Sequence, residues 1–138
     1  MNMNINRLLI AGVVVYFVSY GIATLGTEVI LADQIAPFNV LMRPDADATP
    51  FFISMLLGYA VMVGAFCYIF TKGYENKGIG EGVRYGLVMG ILLSSTDFIY
   101  GIALPVPWST VIANTILGLV IWLVAGVILA AIYKPKAV

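Results

Sequence analysis

Four apolar stretches, Leu8–Leu25, Pro50–Phe70, Gly82–Tyr100 and Trp108–Tyr133, take up most of this 138-residue chain and leave it too little polar surface for a soluble fold. Each is close to the roughly 20 residues that an α-helix, rising about 1.5 Å per residue, needs to cross the hydrocarbon of a bilayer. A barrel does not fit. Its strands alternate in polarity over about 10 residues, whereas Leu8–Val18 and Ile116–Ile132 are apolar on every side. The expected fold is all-α: a polytopic membrane protein whose four transmembrane helices (about 8–25, 50–70, 82–100 and 108–133) form one bundle. Residues 1–138 then make a single transmembrane domain, with a structured segment, 26–49, between the first two helices. Composition agrees, since 62% of residues are hydrophobic and 10% charged, against about 25% charged in soluble domains.

Charge orients the bundle. Of the seven basic residues, Arg7, Lys72, Lys77, Arg84, Lys134 and Lys136 border one end of the four runs, and Arg43 alone borders the other. Glu28, Asp33, Asp45, Asp47 and Asp97 gather at the Arg43 end. Lys and Arg in short loops stay on the cytoplasmic side. The expectation is a multi-pass inner-membrane protein with both termini cytoplasmic and residues 26–49 and 101–107 outside.

The chain has no histidine and one cysteine, Cys67. A histidine-held haem, a Cys/His zinc site, a Ser-His-Asp triad and a dithiol relay all lack their parts. No cofactor and no metal are expected, and no enzymatic activity. A net charge of zero without a basic stripe points away from nucleic acid. The expected partners are the lipid bilayer and other membrane-spanning chains, either a second copy as a homodimer or a larger membrane-protein complex.

The third run carries a packing signal. Gly78, Gly82, Gly86, Gly90 and Ser94 recur every four residues, which leaves one flank of a helix free of bulk so that another backbone can approach it. Its partner is expected to be helix two or helix four, or the same helix in a second copy. Gly118 and Gly126 in the fourth run, and Ser54, Gly58, Ala60 and Gly64 in the second, offer matching small surfaces.

The polar groups that could carry function are few. Asp97 follows Ser94-Ser95-Thr96 near the non-basic end of helix three, and an ionised carboxylate within a span must face protein or water. Asn114 and Thr115 enter helix four at a depth where they meet Ser94, Ser95 or Asp97. Glu28 and Asp33 lie on the extension of helix one, and Arg43 is the cation expected to pair with one of the three carboxylates. Glu28, Asp33, Arg43, Asp97 and Asn114 are therefore the candidate ligand-binding or coupling residues, forming either a structural clamp or an acidic vestibule.

Two resemblances accompany this reading. Gly80-Glu81-Gly82-Val83-Arg84-Tyr85-Gly86-Leu87, the Pro105-Val106-Pro107 turn and the Ile132-Tyr133-Lys134 ending resemble a loose group of small uncharacterised bacterial four-helix inner-membrane proteins, which implies architecture and no activity. Ala23-Thr24-Leu25-Gly26-Thr27-Glu28-Val29-Ile30 is similar to the glutamate-bearing first helix of small multidrug resistance transporters. There the glutamate binds proton and drug, so the similarity implies that role for Glu28. This chain departs from that pattern in the late position of Glu28, in segment 26–49, and in Arg43 and Asp97. The expected function is non-enzymatic binding, as an accessory subunit or as a small-ligand binder at the outer face. The alternative is a small proton- or cation-coupled transporter working as a dimer.

Overall fold

A computed structural model describes residues 3–41 and 45–135, with the backbone alone at 39, 41 and 45–49. Helix α1 (Ile5–Leu25) is capped by Asn4, whose side chain accepts from the Arg7 N–H at 3.3 Å, and it passes without a break into a π-helical turn, Gly26–Ile30. The short α2 (Ala32–Ile35) and a 3-10 helix, Ala36–Leu41, follow. Then come α3 (Asp45–Lys72), α4 (Ile79–Ser94), α5 (Thr96–Ala103) and α6 (Trp108–Ile132). No strand occurs among the described residues. Four spans, Ile5–Ile30, Pro50–Lys72, Ile79–Ala103 and Trp108–Ile132, are long and apolar enough to cross a membrane.

The helix boundaries differ from the sequence reading around two prolines. Pro37 lies within the 3-10 helix and Pro50 within α3. A proline removes one donor and crowds one carbonyl. α3 begins at Asp45 rather than Pro50 and carries Pro50 in its second turn, where the missing N–H removes one bond of the ladder. The third span is longer than 82–100 and is not continuous, because it is interrupted at Ser95.

Helix α6 is the centre of the bundle. In its most apolar stretch 33% of residues are buried, against 17% in each of the other spans, and the rest of the apolar surface needs lipid. Gly82 and Gly126 bring α4 and α6 together so closely that a Cβ on either glycine would lie 2.3 Å from the other's carbonyl oxygen. Gly86 repeats this against the Trp122 carbonyl, at 2.6 Å, and Gly90 is looser, at 3.3 Å from the Trp122 Cβ. Ser94 closes the row by placing its Oγ where a Gly118 side chain would start. The small-residue flank of α4 thus lies on α6, through close backbone approach of the kind that associates helices in lipid.

Helix α3 joins the others through large side chains. Phe66 stacks against Tyr85 of α4 (ring centroids 4.7 Å apart) and Trp122 of α6 (5.0 Å), and the Tyr85 hydroxyl donates to the Phe66 carbonyl. Phe70 lies 5.2 Å from Tyr85 and 6.2 Å from Tyr133. These rings, with Ala11, Val15, Val63, Cys67 and Leu129, form the core. A second group of rings, Tyr16, Tyr20 and Tyr59, joins α1 to α3, and Phe98 packs on Trp108 at the other end.

At the basic end the loop between α3 and α4 is held by carboxylates. Glu81, only 5% exposed, accepts from the backbone N–H groups of Glu75 at 2.7 Å and Lys77 at 3.0 Å. The glutamate lies three residues into α4 and reaches back past the N-cap Gly78 to donors in the loop. Exposed Glu75 pairs with Lys77 at 2.6 Å and Arg84 at 2.9 Å, and these two cations hold its carboxyl below the ordinary carboxylate range. Tyr74 donates to Asn76, and partial burial, with the Glu81 carboxylate and Tyr133 close by, pushes its phenol above the usual value. Arg7 of α1 donates to the Ile132 carbonyl at 3.4 Å, so the start of α1, the α3–α4 loop and the end of α6 share one end of the bundle.

Candidate functional site

The site develops from the sequence Ser94-Ser95-Thr96-Asp97. Ser95 Oγ donates to the Leu92 carbonyl and Thr96 Oγ1 to the Leu93 carbonyl, both at 2.7 Å. Hydroxyls that bond backward to the preceding turn compete with the helical ladder and bend it. Here they coincide with the break between α4 and α5. Beyond the break, Asp97 Oδ1 accepts from Asn114 Nδ2 of α6 at 3.0 Å. At about 1.5 Å per residue, Asp97 lies about 9 Å from the Ala103 end of its span and about 27 Å from the Ile79 end.

A second irregular turn faces the first. The π-helical turn after α1 carries Thr27, whose hydroxyl donates to the Ala23 carbonyl; single π turns inside α-helices often accompany functional sites. Between the two irregular turns lies a cavity of about 330 Å³. It is lined by Ala23 and Thr27 of the first span, Met62 of α3, Ser94, Thr96 and Asp97 of the third span, and Asn114, Gly118 and Trp122 of α6. All four spans contribute to its wall.

Ser94 is the informative group in this wall. It is 4% exposed, and its Oγ has no hydrogen-bond partner. A buried hydroxyl left unpaired costs about 1–3 kcal/mol, and this one lies against Gly118 in the α4–α6 seam beside the cavity. Asp97 and Asn114 also line a second cavity, of about 310 Å³, on their other side. Its wall is mainly apolar: Ile35, Phe38, Tyr100, Leu104, Val106 and Val111. Asp97 is half-buried and Asn114 exposed, so the pair forms a polar seam where the two cavities meet.

The candidates named from sequence do not all converge. Asp97 and Asn114 are hydrogen-bonded. Glu28 and Asp33 are exposed, and neither lines the cavities beside Asp97. Arg43 lies outside the described residues, and with it the expected pairing to a carboxylate. Both ion pairs among the described residues are at the basic end, on Glu75. Sequence reasoning passed over Thr27, Thr96 and Ala23 as site residues and Glu81 as a loop clamp. A glutamate three residues after Gly78 was the legible signal for Glu81; Thr27 and Ala23 gave none, because nothing in a uniformly apolar helix marks which side meets its neighbours.

No group of three or more His, Cys, Asp or Glu side chains suited to a metal ion occurs among the described residues. The cavity offers instead one carboxylate, one carboxamide and three hydroxyls, a set that binds by hydrogen bonding and charge. Comparison with family models, with curated proteins and with solved structures finds no match to this chain.

Proposed function

We propose that this chain is a multi-pass inner-membrane protein that binds a small molecule in the four-helix cavity beside Asp97 and Asn114. In the proposed orientation the basic end, with both termini, is cytoplasmic, and the cavity lies toward the outside. The observation that carries the reading is the hydrogen-bonded Asp97–Asn114 pair in the wall of a cavity to which all four spans contribute. Polar side chains within a span are expensive and mark ligand sites or pathways. The depth of Asp97 favours binding over alternating access, which needs a group reachable from both sides.

Orientation is tested by cysteine labelling. In a Cys67→Ala background, Gly73→Cys sits in an open part of the α3–α4 loop and Leu104→Cys is exposed at the other end. An impermeant thiol reagent added to intact cells is expected to label position 104 and spare position 73. The reverse pattern would invert the topology.

Binding is tested by filling the space. Ala23→Phe puts a ring into the cavity without touching the Asp97–Asn114 hydrogen bond. Native mass spectrometry of the purified chain should show a small-molecule adduct distinct from phospholipid, with occupancy lowered by about tenfold or more in Ala23→Phe, the equivalent of at least about 1.4 kcal/mol in affinity. Identical adduct spectra for the two proteins would refute the site.

A further inference from the structure

We infer that the ligand is a small organic amine, held as its ammonium form, with N–H donors at Asp97 and an apolar body in the adjoining cavity. This inference rests on the binding reading above and adds the chemical class.

The lining is rich in acceptors. Thr27 and Thr96 have committed their hydroxyl hydrogens to the carbonyls of Ala23 and Leu93, so toward the cavity they keep acceptor lone pairs. Asn114 uses one of its two N–H groups on Asp97 and keeps the other beside its carbonyl oxygen. Asp97, acceptor-only when ionised, keeps its second oxygen beyond the bond to Asn114. A neutral acceptor such as a ketone or an ester would meet mostly lone pairs there, and an anion would meet a like charge. A protonated amine meets a carboxylate and several oxygens, and the charge-assisted bond to Asp97 is the strong contact.

Space separates an amine from a bare ion. The polar cavity continues past the Asp97–Asn114 seam into the apolar one, with Phe38, Tyr100 and Leu104 on its wall. A monovalent metal ion would leave those surfaces unused. An ammonium carrying an aryl or alkyl group fills both sides of the seam, and aromatic faces at Phe38 and Tyr100 also suit a cation.

The full chain in detergent is titrated with 2-phenylethylamine, its N,N,N-trimethyl derivative, 2-phenylethanol and sodium chloride, followed by calorimetry. The amine is expected to bind, and both organic analogues to bind about tenfold or more weakly, since one lacks N–H donors and the other lacks charge. Asp97→Asn should weaken the amine by about tenfold or more. Thr96→Val, which removes one acceptor at an exposed position, should weaken it by a smaller factor of about three to ten, so the test does not depend on one variant folding. Glu75→Gln, which removes a carboxylate at the opposite end of the bundle, should leave amine binding intact. Equal affinity for 2-phenylethanol, heat from sodium chloride alone that prevents amine binding, or loss of amine binding in Glu75→Gln would each overturn the inference. Probe failure with a persistent adduct lost in Ala23→Phe would remove the amine class and leave the binding reading standing. Failure of both would remove both.

Discussion

Gly82→Ala is expected to destabilise the bundle by about 1–3 kcal/mol, and Gly82→Leu by more, because the added carbon meets the Gly126 backbone oxygen at 2.3 Å and the Ala130 Cβ at 2.6 Å. A backbone atom cannot turn aside as a side chain can. The two helices must separate, which also loosens the contacts of Gly86 with Trp122 and Leu123. Gly126→Ala should do the same from the other side. Gly64→Ala in α3 has nothing within 4 Å of the new methyl, and in a helix it should be neutral or stabilising by up to about 1 kcal/mol. Thermal unfolding in detergent checks all four variants. A Gly82→Ala protein as stable as Gly64→Ala would mean that α4 and α6 are farther apart than their backbones indicate.

Glu81→Ala removes the acceptor for two loop N–H groups, and stability should fall by about 1–3 kcal/mol. The lower part of that range applies where water can reach Glu75 and Lys77, both exposed. The effect has a local signature. Without the clamp, the loop containing Asn76 and Gly78, both at positive φ (60° and 68°), should open. Trypsin should then cut after Lys77 several times faster, while the spans remain protected. Glu81→Gln keeps one acceptor oxygen and should recover part of the loss. Unchanged proteolysis in Glu81→Ala would assign the loop's order to the Glu75 ion pairs with Lys77 and Arg84 instead.

The number of spans and the all-helical class were legible in residue order alone. Lipid supplies no hydrogen bonds, so an apolar run of sufficient length must satisfy its own backbone, and a helix does so within a single segment. The separation of Arg7, Lys72, Lys77, Arg84 and Lys134 from Glu28, Asp33 and Asp97 was equally visible, and so was the bare flank of Gly82, Gly86 and Gly90. That flank could have met helix two, helix four or a second copy; only the packed structure places it on α6.

The same limit applies to the site. In water, an amphipathic stripe shows which side of a helix faces inward; in lipid both sides are apolar, and the inward side is decided by how helices fit. Ala23 and Thr27 therefore read as ordinary positions in an apolar run, and Ser94 as one more small residue in a stripe. Tertiary structure decided that these residues meet Asp97 and Asn114 around a cavity, that Glu28 and Asp33 stay outside it, and that Glu81 turns back to hold a loop. Each outcome depends on the relative rotation and register of the helices, and close contact between their surfaces sets both.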